Sequence, residues 1–228
     1  MNQAAAESLR RAAAHVVVDD VGAPVLDDSS YHHVFRVLRV HDGQVVTVTD
    51  GAGNWRVCRV IGATLEPDGE PLFEPEPLRP LTIAFAIPKQ DRPEWIVQKL
   101  TELGVDRVVV LHAERSVVRW DSARASKHLA KLRRVALEAV QQSRRVRVPT
   151  IDGPTAAIDV VRHAAVAEPG GRPMASSDRT IAIGPEGGWA PAELAAAGEL
   201  VSLGPNVLRV ETAALAAAAR ATEHSTWE

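Results

Sequence analysis

The chain of 228 residues contains a single cysteine, Cys58. An internal disulfide is excluded, as is a zinc site built on cysteines, and this usage fits a reducing cytoplasm. No apolar run reaches the roughly 18 residues a membrane-spanning helix needs, so no membrane association is expected. Met1 to Arg11 lacks the apolar stretch of a secretory signal. No group of His, Asp and Glu has metal-ligand spacing, and no metal is expected. Neither G-x-G-x-x-G nor a Walker phosphate loop occurs, which argues against a dinucleotide enzyme or an ATPase. A strong excess of one charge is missing too, the formal net charge being -3.

That small total hides an asymmetry. Residues 1–78 carry six arginines against twelve carboxylates. Residues 115–147 reverse this, with ten cations against only Asp121 and Glu138. A local field of that kind is felt by phosphates whatever the total charge, although a solvated helix face would read the same way.

Short alternating runs mark the first part of the chain as β: residues 14–18, 45–49 and 54–61, with Asp50-Gly51-Ala52-Gly53 as a hairpin turn. Ser30 to Arg39 reads as a short helix. Short strands closing over few residues suggest a small barrel over residues 1–78. Four prolines between Pro71 and Pro80 place a boundary there. From residue 79 to 228 strand and helix alternate. Strands are expected at 81–87, 105–111, 179–183 and 199–203, and helices at 93–103, 122–143, 155–163, 191–198 and 210–226, with a loop at 168–178. This order predicts an α/β domain with a mainly parallel sheet.

Two turns carry the functional signal. Gly184-Pro185-Glu186-Gly187-Gly188-Trp189 follows the strand ending at Ile183, and Leu203-Gly204-Pro205-Asn206-Val207-Leu208-Arg209-Val210-Glu211-Thr212-Ala213 opens the last helix. Glycine permits close approach of backbone to a ligand, and helix-start N–H groups remain free to bind it. Two such turns within about thirty residues suggest one pocket at the carboxyl edge of the sheet. Glu186 would repel a phosphate and favours a cofactor of positive or neutral character, which the sulfonium of S-adenosylmethionine satisfies. Thr212 and Glu211 also suit a helix start as cap and dipole partner, whereas Arg209 opposes the dipole there.

These motifs, together with His32-His33-Val34-Phe35-Arg36-Val37-Leu38-Arg39, Lys99-Leu100-Thr101-Glu102-Leu103-Gly104-Val105, Arg115-Ser116 and Gln142-Ser143-Arg144-Arg145, give a chain that resembles the ribosomal RNA small subunit methyltransferase E family of the SPOUT class. The resemblance covers nearly the whole chain. It implies a C-terminal α/β domain with a trefoil knot, an exception to the rule against knots, and an N-terminal PUA-like barrel that docks RNA. It implies S-adenosylmethionine held by Ile183, Gly184, Glu186, Gly187, Gly188, Leu203, Gly204, Leu208 and Val210. It also implies a homodimer that methylates uridine N3 in the decoding region of 16S ribosomal RNA, on the assembled small subunit. The chain departs from the family pattern at Lys131-Leu132 and at Gln141 to Arg145, on the basic helix and outside the cofactor turns.

Uracil N3 carries a proton that must leave, and the anion that forms needs stabilising cations. Arg115 and Arg209 are candidates for the latter. Glu186, Glu211 or solvent could take the proton. Arg36, Arg39, Lys89, Arg115, Arg144 and Arg145 are candidates for RNA contact, and Trp55 is expected in a barrel core or at its rim. Two rival readings stay open: another SPOUT enzyme acting on a ribose oxygen or a different base, and a non-catalytic RNA-binding assembly protein.

Overall fold

The computed structural model describes residues 3–89 and 92–222. It divides into two units: one holds the chain up to Pro77 together with Val140–Val148, the other Leu78–Ala139 together with Pro149 onward. The first boundary falls one residue before that read from the prolines, while Val140–Val148 joins the first unit despite its distance in sequence.

The first unit begins with helix α1 (Gln3–Arg11), which the sequence reading did not anticipate because Leu9 is the only large apolar residue on it. Strand β1 (Ala14–Val17) follows, then helix α2 (Asp28–Tyr31), capped by the Asp27 carboxylate accepting from the Ser30 N–H at 2.7 Å. The chain continues as a π-helical turn, His32–Val37, where a single α-helix was expected. Strands β2 (Val45–Thr49), β3 (Asn54–Ile61), β4 (Thr64–Pro67) and β5 (Leu72–Phe73) complete it. The sheet order is β1-β2-β3-β4 with β5 also on β3, and only the β1–β2 pair is parallel.

Strand β3 serves both faces of this sheet. Cys58 and Val60 join the main core with Val16, Val34, Val46 and Val48, whereas Trp55 packs with Ala5, Leu9 and Val146. Trp55 is thus a core residue, not a base-stacking one. Burial raises the Cys58 thiol to about 11, so it stays protonated and inert. Residues 146–148 are stitched to the β2–β3 turn: the Thr49 hydroxyl donates to the Val146 carbonyl at 2.8 Å, the Gly53 N–H to the same carbonyl at 3.2 Å, and the Val148 N–H to Gly51 at 2.9 Å.

The second unit is a six-stranded, wholly parallel sheet. Its elements are β6 (Thr82–Ala86), α3 (Arg92–Glu102), β7 (Arg107–His112), α4 (Ser122–Ser143, its last residues belonging to the first unit), β8 (Thr150–Ala156), α5 (Ala157–Val161), β9 (Ala165–Pro173), β10 (Thr180–Ile183), α6 (Pro191–Ala196), β11 (Glu199–Ser202) and α7 (Val210–Thr222). The strand order is β11-β9-β10-β6-β7-β8. Alternation sorts the strands' side chains between two layers. Ile83, Phe85, Val108, Val110, Ile181 and Ile183 pack with α3, α4 and α7, while Ala84, Ala86, Val109, Leu111 and Ala182 pack with α5 and Trp189. Burial on both faces is why these strands read as continuous apolar runs. The Thr101-Glu102-Leu103-Gly104 segment closes α3, with Gly104 at φ +86° and the Val105 N–H bonded back to Leu100.

Helix α5 falls within the helix expected at 155–163, whereas strand β8 fills a stretch given no element and strand β9 runs into the expected loop at 168–178. Both strands carry breakers. Gly153 lies at φ +109° where the β7–β8 register shifts, and a β-carbon there would meet the Val110 carbonyl oxygen. Gly171 lies beside the register shift against β11, with no room for a β-carbon between it and Leu200–Val201. Helix α7 is described to Thr222; the rest of the expected 210–226 helix lies outside the described residues.

Candidate functional site

The strand order makes a switch point. From β6 the chain moves outward through β7 to β8, then returns to build β9, β10 and β11 on the other side. The segments leaving β6 and its neighbour β10 therefore diverge at their carboxyl ends, and ligands bind in the crevice such a reversal opens. Leaving β10 is the Gly184–Gly188 turn. Leaving β6 is Ile87-Pro88-Lys89, with Lys89 exposed.

The turn after β10 is braced on several sides. A β-carbon on Gly184 would lie 2.8 Å from the Trp189 indole, so only glycine fits. That indole is buried and donates to the Ala167 carbonyl at 3.1 Å. Gly188 adopts φ +72° and donates to Pro185 at 2.9 Å. Ile183 is buried, while Glu186 and Gly187 are exposed. The Glu193 carboxylate, buried in α6, accepts from the Ala190 N–H at 2.8 Å and from the Glu114 N–H at 2.9 Å. It joins the end of this turn to the segment after β7. Sequence reading missed Glu193, whose only signal was its position three residues into a helix behind a proline.

The segment after β7 brings Arg115 to the same turn: its Nη1 donates to the Gly187 carbonyl at 3.4 Å, and the guanidinium is exposed. Next to it the Ser116 hydroxyl is buried with no hydrogen-bond partner among the described residues. His112, at the end of β7, accepts from the Trp120 N–H at 3.2 Å. Burial, and then the charge of Arg119, lower its pKa, so the ring is neutral at pH 7.

The second turn is more open. Ser202 Oγ donates to the Gly204 carbonyl at 3.1 Å, Gly204 adopts φ +145°, and a β-carbon there would meet nothing within 4 Å. Pro205, Asn206, Val207 and Arg209 are exposed; Leu203 and Leu208 are half-buried against the core; Val210 is buried. The Arg209 carbonyl accepts the Ala213 N–H at 2.8 Å, so α7 begins just after it. Glu211 turns inward. One oxygen of its carboxylate is ion-paired with Arg92, at the start of α3, and the other is buried without a partner among the described residues. Arg92 was invisible in the sequence because nothing in its spacing links it to Glu211.

The other RNA candidates divide. In the first unit Arg36 and Arg39 are exposed on and after the π-helical turn, with His32, His33 and the exposed apolar side chains of Tyr31, Val37 and Leu38. This is a mixed basic, aromatic and apolar surface. Arg144 and Arg145 are instead tied into the first unit. Arg144 donates to the Leu9 carbonyl at 3.3 Å and is half-buried, and the Arg145 carbonyl bonds the His15 ring at 2.8 Å. The basic tract is likewise partly consumed: Lys131 pairs with Glu94 at 2.7 Å, and Arg133 donates to the Ile151 carbonyl. A depression of about 470 Å³ lies elsewhere, along Lys127, His128, Lys131 and Arg134 of α4. It is open, and every residue lining it belongs to α4. No cluster of metal-binding side chains occurs among the described residues.

Comparison with known proteins places this geometry. The family model described as "RNA methyltransferase domain" matches residues 74–222, and that described as "RNA methyltransferase PUA domain" matches residues 26–66. The chain is 34% identical over 224 residues to ribosomal RNA small subunit methyltransferase E of Mycobacterium bovis, covering 87% of this chain and 86% of that protein. Among solved structures, the putative methyltransferase Lpg2936 of Legionella pneumophila, in complex with bound SAM, superposes with a TM-score of 0.73 at 26% identity, covering 92% and 96% of the two chains. Ribosomal RNA small subunit methyltransferase E of Neisseria gonorrhoeae, bound to S-adenosyl methionine, does so with a TM-score of 0.73 at 25% identity, covering 92% and 97%.

Proposed function

Since the chain belongs to the ribosomal RNA small subunit methyltransferase E family, we propose that it methylates N3 of a uridine in the decoding region of 16S ribosomal RNA, acting on the assembled small subunit. It is an S-adenosylmethionine-dependent ribosomal RNA methyltransferase, with a SPOUT-like α/β domain and a PUA-like N-terminal domain. A knotted path for the C-terminal segment, a homodimer and a cytoplasmic location belong to this reading. No helix among the described residues is long and apolar enough to cross a membrane.

The observation that carries the reading is the pair of glycine turns at the carboxyl edge of a parallel sheet. The residues there suit the cofactor. Gly204 leaves open space, Glu186 offers an exposed anion, and Ser116 and Glu211 each present a buried polar atom unpaired among the described residues. Ile183, Gly184, Gly187, Gly188, Leu203, Leu208 and Val210 would line the cofactor. When bound, S-adenosylmethionine supplies an electrophilic methyl carbon.

The protein's task is to orient the uracil and stabilise its N3 anion. Arg115, held over the first turn by the Gly187 carbonyl, and Arg209, exposed at the second, bring cations from two sides. A cation placed before reaction where charge develops needs no reorganisation at the moment of transfer. Glu186 or solvent takes the proton, a step that positioning of the base makes effective. Arg36, Arg39 and Lys89 bind phosphates, which fixes register without reading sequence.

The test is methyl transfer from labelled S-adenosylmethionine to small subunits lacking the modification, followed by nucleoside analysis. Label in 3-methyluridine is expected. Label in another nucleoside overturns the acceptor atom, and no transfer to subunits or to free 16S RNA overturns the activity. Arg115→Ala and Arg209→Ala should each lower turnover at saturating RNA by about 10- to 1000-fold; unchanged turnover removes that residue from the chemistry.

A further inference from the structure

Glu211 presents an unusual imbalance. Its side chain is only 13% exposed, its carboxylate pairs with Arg92 through one oxygen, and the other oxygen is buried with no donor among the described residues. A carboxylate accepts hydrogen bonds at both oxygens, and leaving a buried one empty is costly. Its neighbours in the first turn of α7, Val210, Ala213 and Ala214, are buried in the core, and Glu211 follows directly on the second glycine turn. Arg92 keeps it there, because it comes from α3 and not from a loop, and α3 packs on α7.

We propose that this free oxygen of Glu211 binds the α-ammonium on the methionyl arm of the cofactor, with Arg92 as the positioning residue that presents it. The inference rests on the S-adenosylmethionine reading above and removes Glu211 from the list of proton acceptors. An ionised acceptor is best matched by an ionised donor, and such bonds are about twice as strong as neutral ones. The adenine amino group is a neutral donor, and the uracil N3–H belongs to a macromolecule that must come from outside the turn. The Arg92 guanidinium is 36% exposed, so water screens its repulsion of a second cation.

The test is calorimetric binding of three ligands to the full chain without RNA: S-adenosylmethionine, S-adenosylhomocysteine and 5′-methylthioadenosine. The second keeps the ammonium but lacks the sulfonium; the third lacks the amino-acid arm. Glu211→Gln should weaken the first two alike, by about 10- to 100-fold, and leave the third within about twofold. Arg92→Ala should give a smaller loss of the same pattern, and Arg92→Lys should restore most of it. Unchanged binding of the first two ligands overturns the proposal. So does equal loss on all three, which would put Glu211 at the adenosine, or loss confined to S-adenosylmethionine, which would put it at the sulfonium. Should Glu211→Gln fail to fold, wild-type protein with the deaminated analogue of S-adenosylhomocysteine decides the matter. Binding about 10- to 100-fold weaker than the parent supports the proposal, and equal binding overturns it. Wild-type protein that binds none of these ligands is a different result, and defeats the cofactor reading itself.

Discussion

The two glycine turns share a strand-to-helix setting and are built to opposite tolerances. Around Gly184–Gly188 the space is already taken: the Trp189 indole fills the site of a Gly184 side chain, Arg115 crosses Gly187, and Glu193 fastens the exit. Around Gly204 there is no such filling, and the loop to Arg209 is largely exposed. In the proposed site the first turn is fixed by its own packing before any ligand arrives, and the second stands open to solvent. Pre-organisation lowers the cost of binding, while an open turn lets a large substrate enter.

Removing the fastener should have the largest effect. Glu193→Ala leaves the buried Ala190 N–H and the part-buried Glu114 N–H without an acceptor and should cost about 3 kcal/mol, a fall in Tm of roughly 6–12 °C for a chain of this length. Thermal unfolding checks it. Gly184→Ala forces the indole from its place and away from the Ala167 carbonyl, costing about 2 kcal/mol. Near-ultraviolet circular dichroism should report a changed tryptophan environment. Gly204→Ala meets no atoms, so only its positive φ resists, at about 1 kcal/mol. A Gly204→Ala loss equal to that of Gly184→Ala would erase the contrast between the two turns.

Acid supplies a control that acts away from both turns. Buried His15, bonded to the Thr47 hydroxyl and the Arg145 carbonyl, has its pKa lowered by burial to about 4. The unfolded chain takes up that proton first, near the ordinary histidine value of 6.5. Stability should therefore be intact above 6.5 and decline as pH falls toward 4, by about 1 kcal/mol at pH 5.5. Denaturant melts across this range should show the slope in the wild type and lose it in His15→Gln.

The two glycine turns were legible as strand-to-helix connections because glycines after apolar runs announce themselves locally. So were β6, β7, β10, α3, α4 and the change of rhythm near Pro77. What stayed hidden depended on partners far away in sequence. Arg92 acquires its role from Glu211, and Glu193 from Glu114, pairings that no local spacing reveals. Strands β8 and β9 were hidden for the opposite reason, since Gly153 and Gly171 are strong local breakers overruled by close backbone approach in the sheet. Arg144 and Arg145 were read as candidates for RNA contact; in the fold the Arg144 guanidinium bonds the Leu9 carbonyl, and the Arg145 backbone carbonyl holds His15, contacts that no local spacing reveals.

The stitching of Val146 and Val148 to the Gly51–Gly53 turn has a consequence for modularity. The first unit is assembled from two stretches of chain, one of which is an excursion between α4 and β8 of the second. A protease cutting among the prolines near Pro75 would separate the front end from the rest of the chain but leave Val140–Val148 joined to the second unit, so the fragments should remain associated through the hydrogen bonds of that stretch. By the same token, this front end cannot be inherited or exchanged as a single uninterrupted cassette.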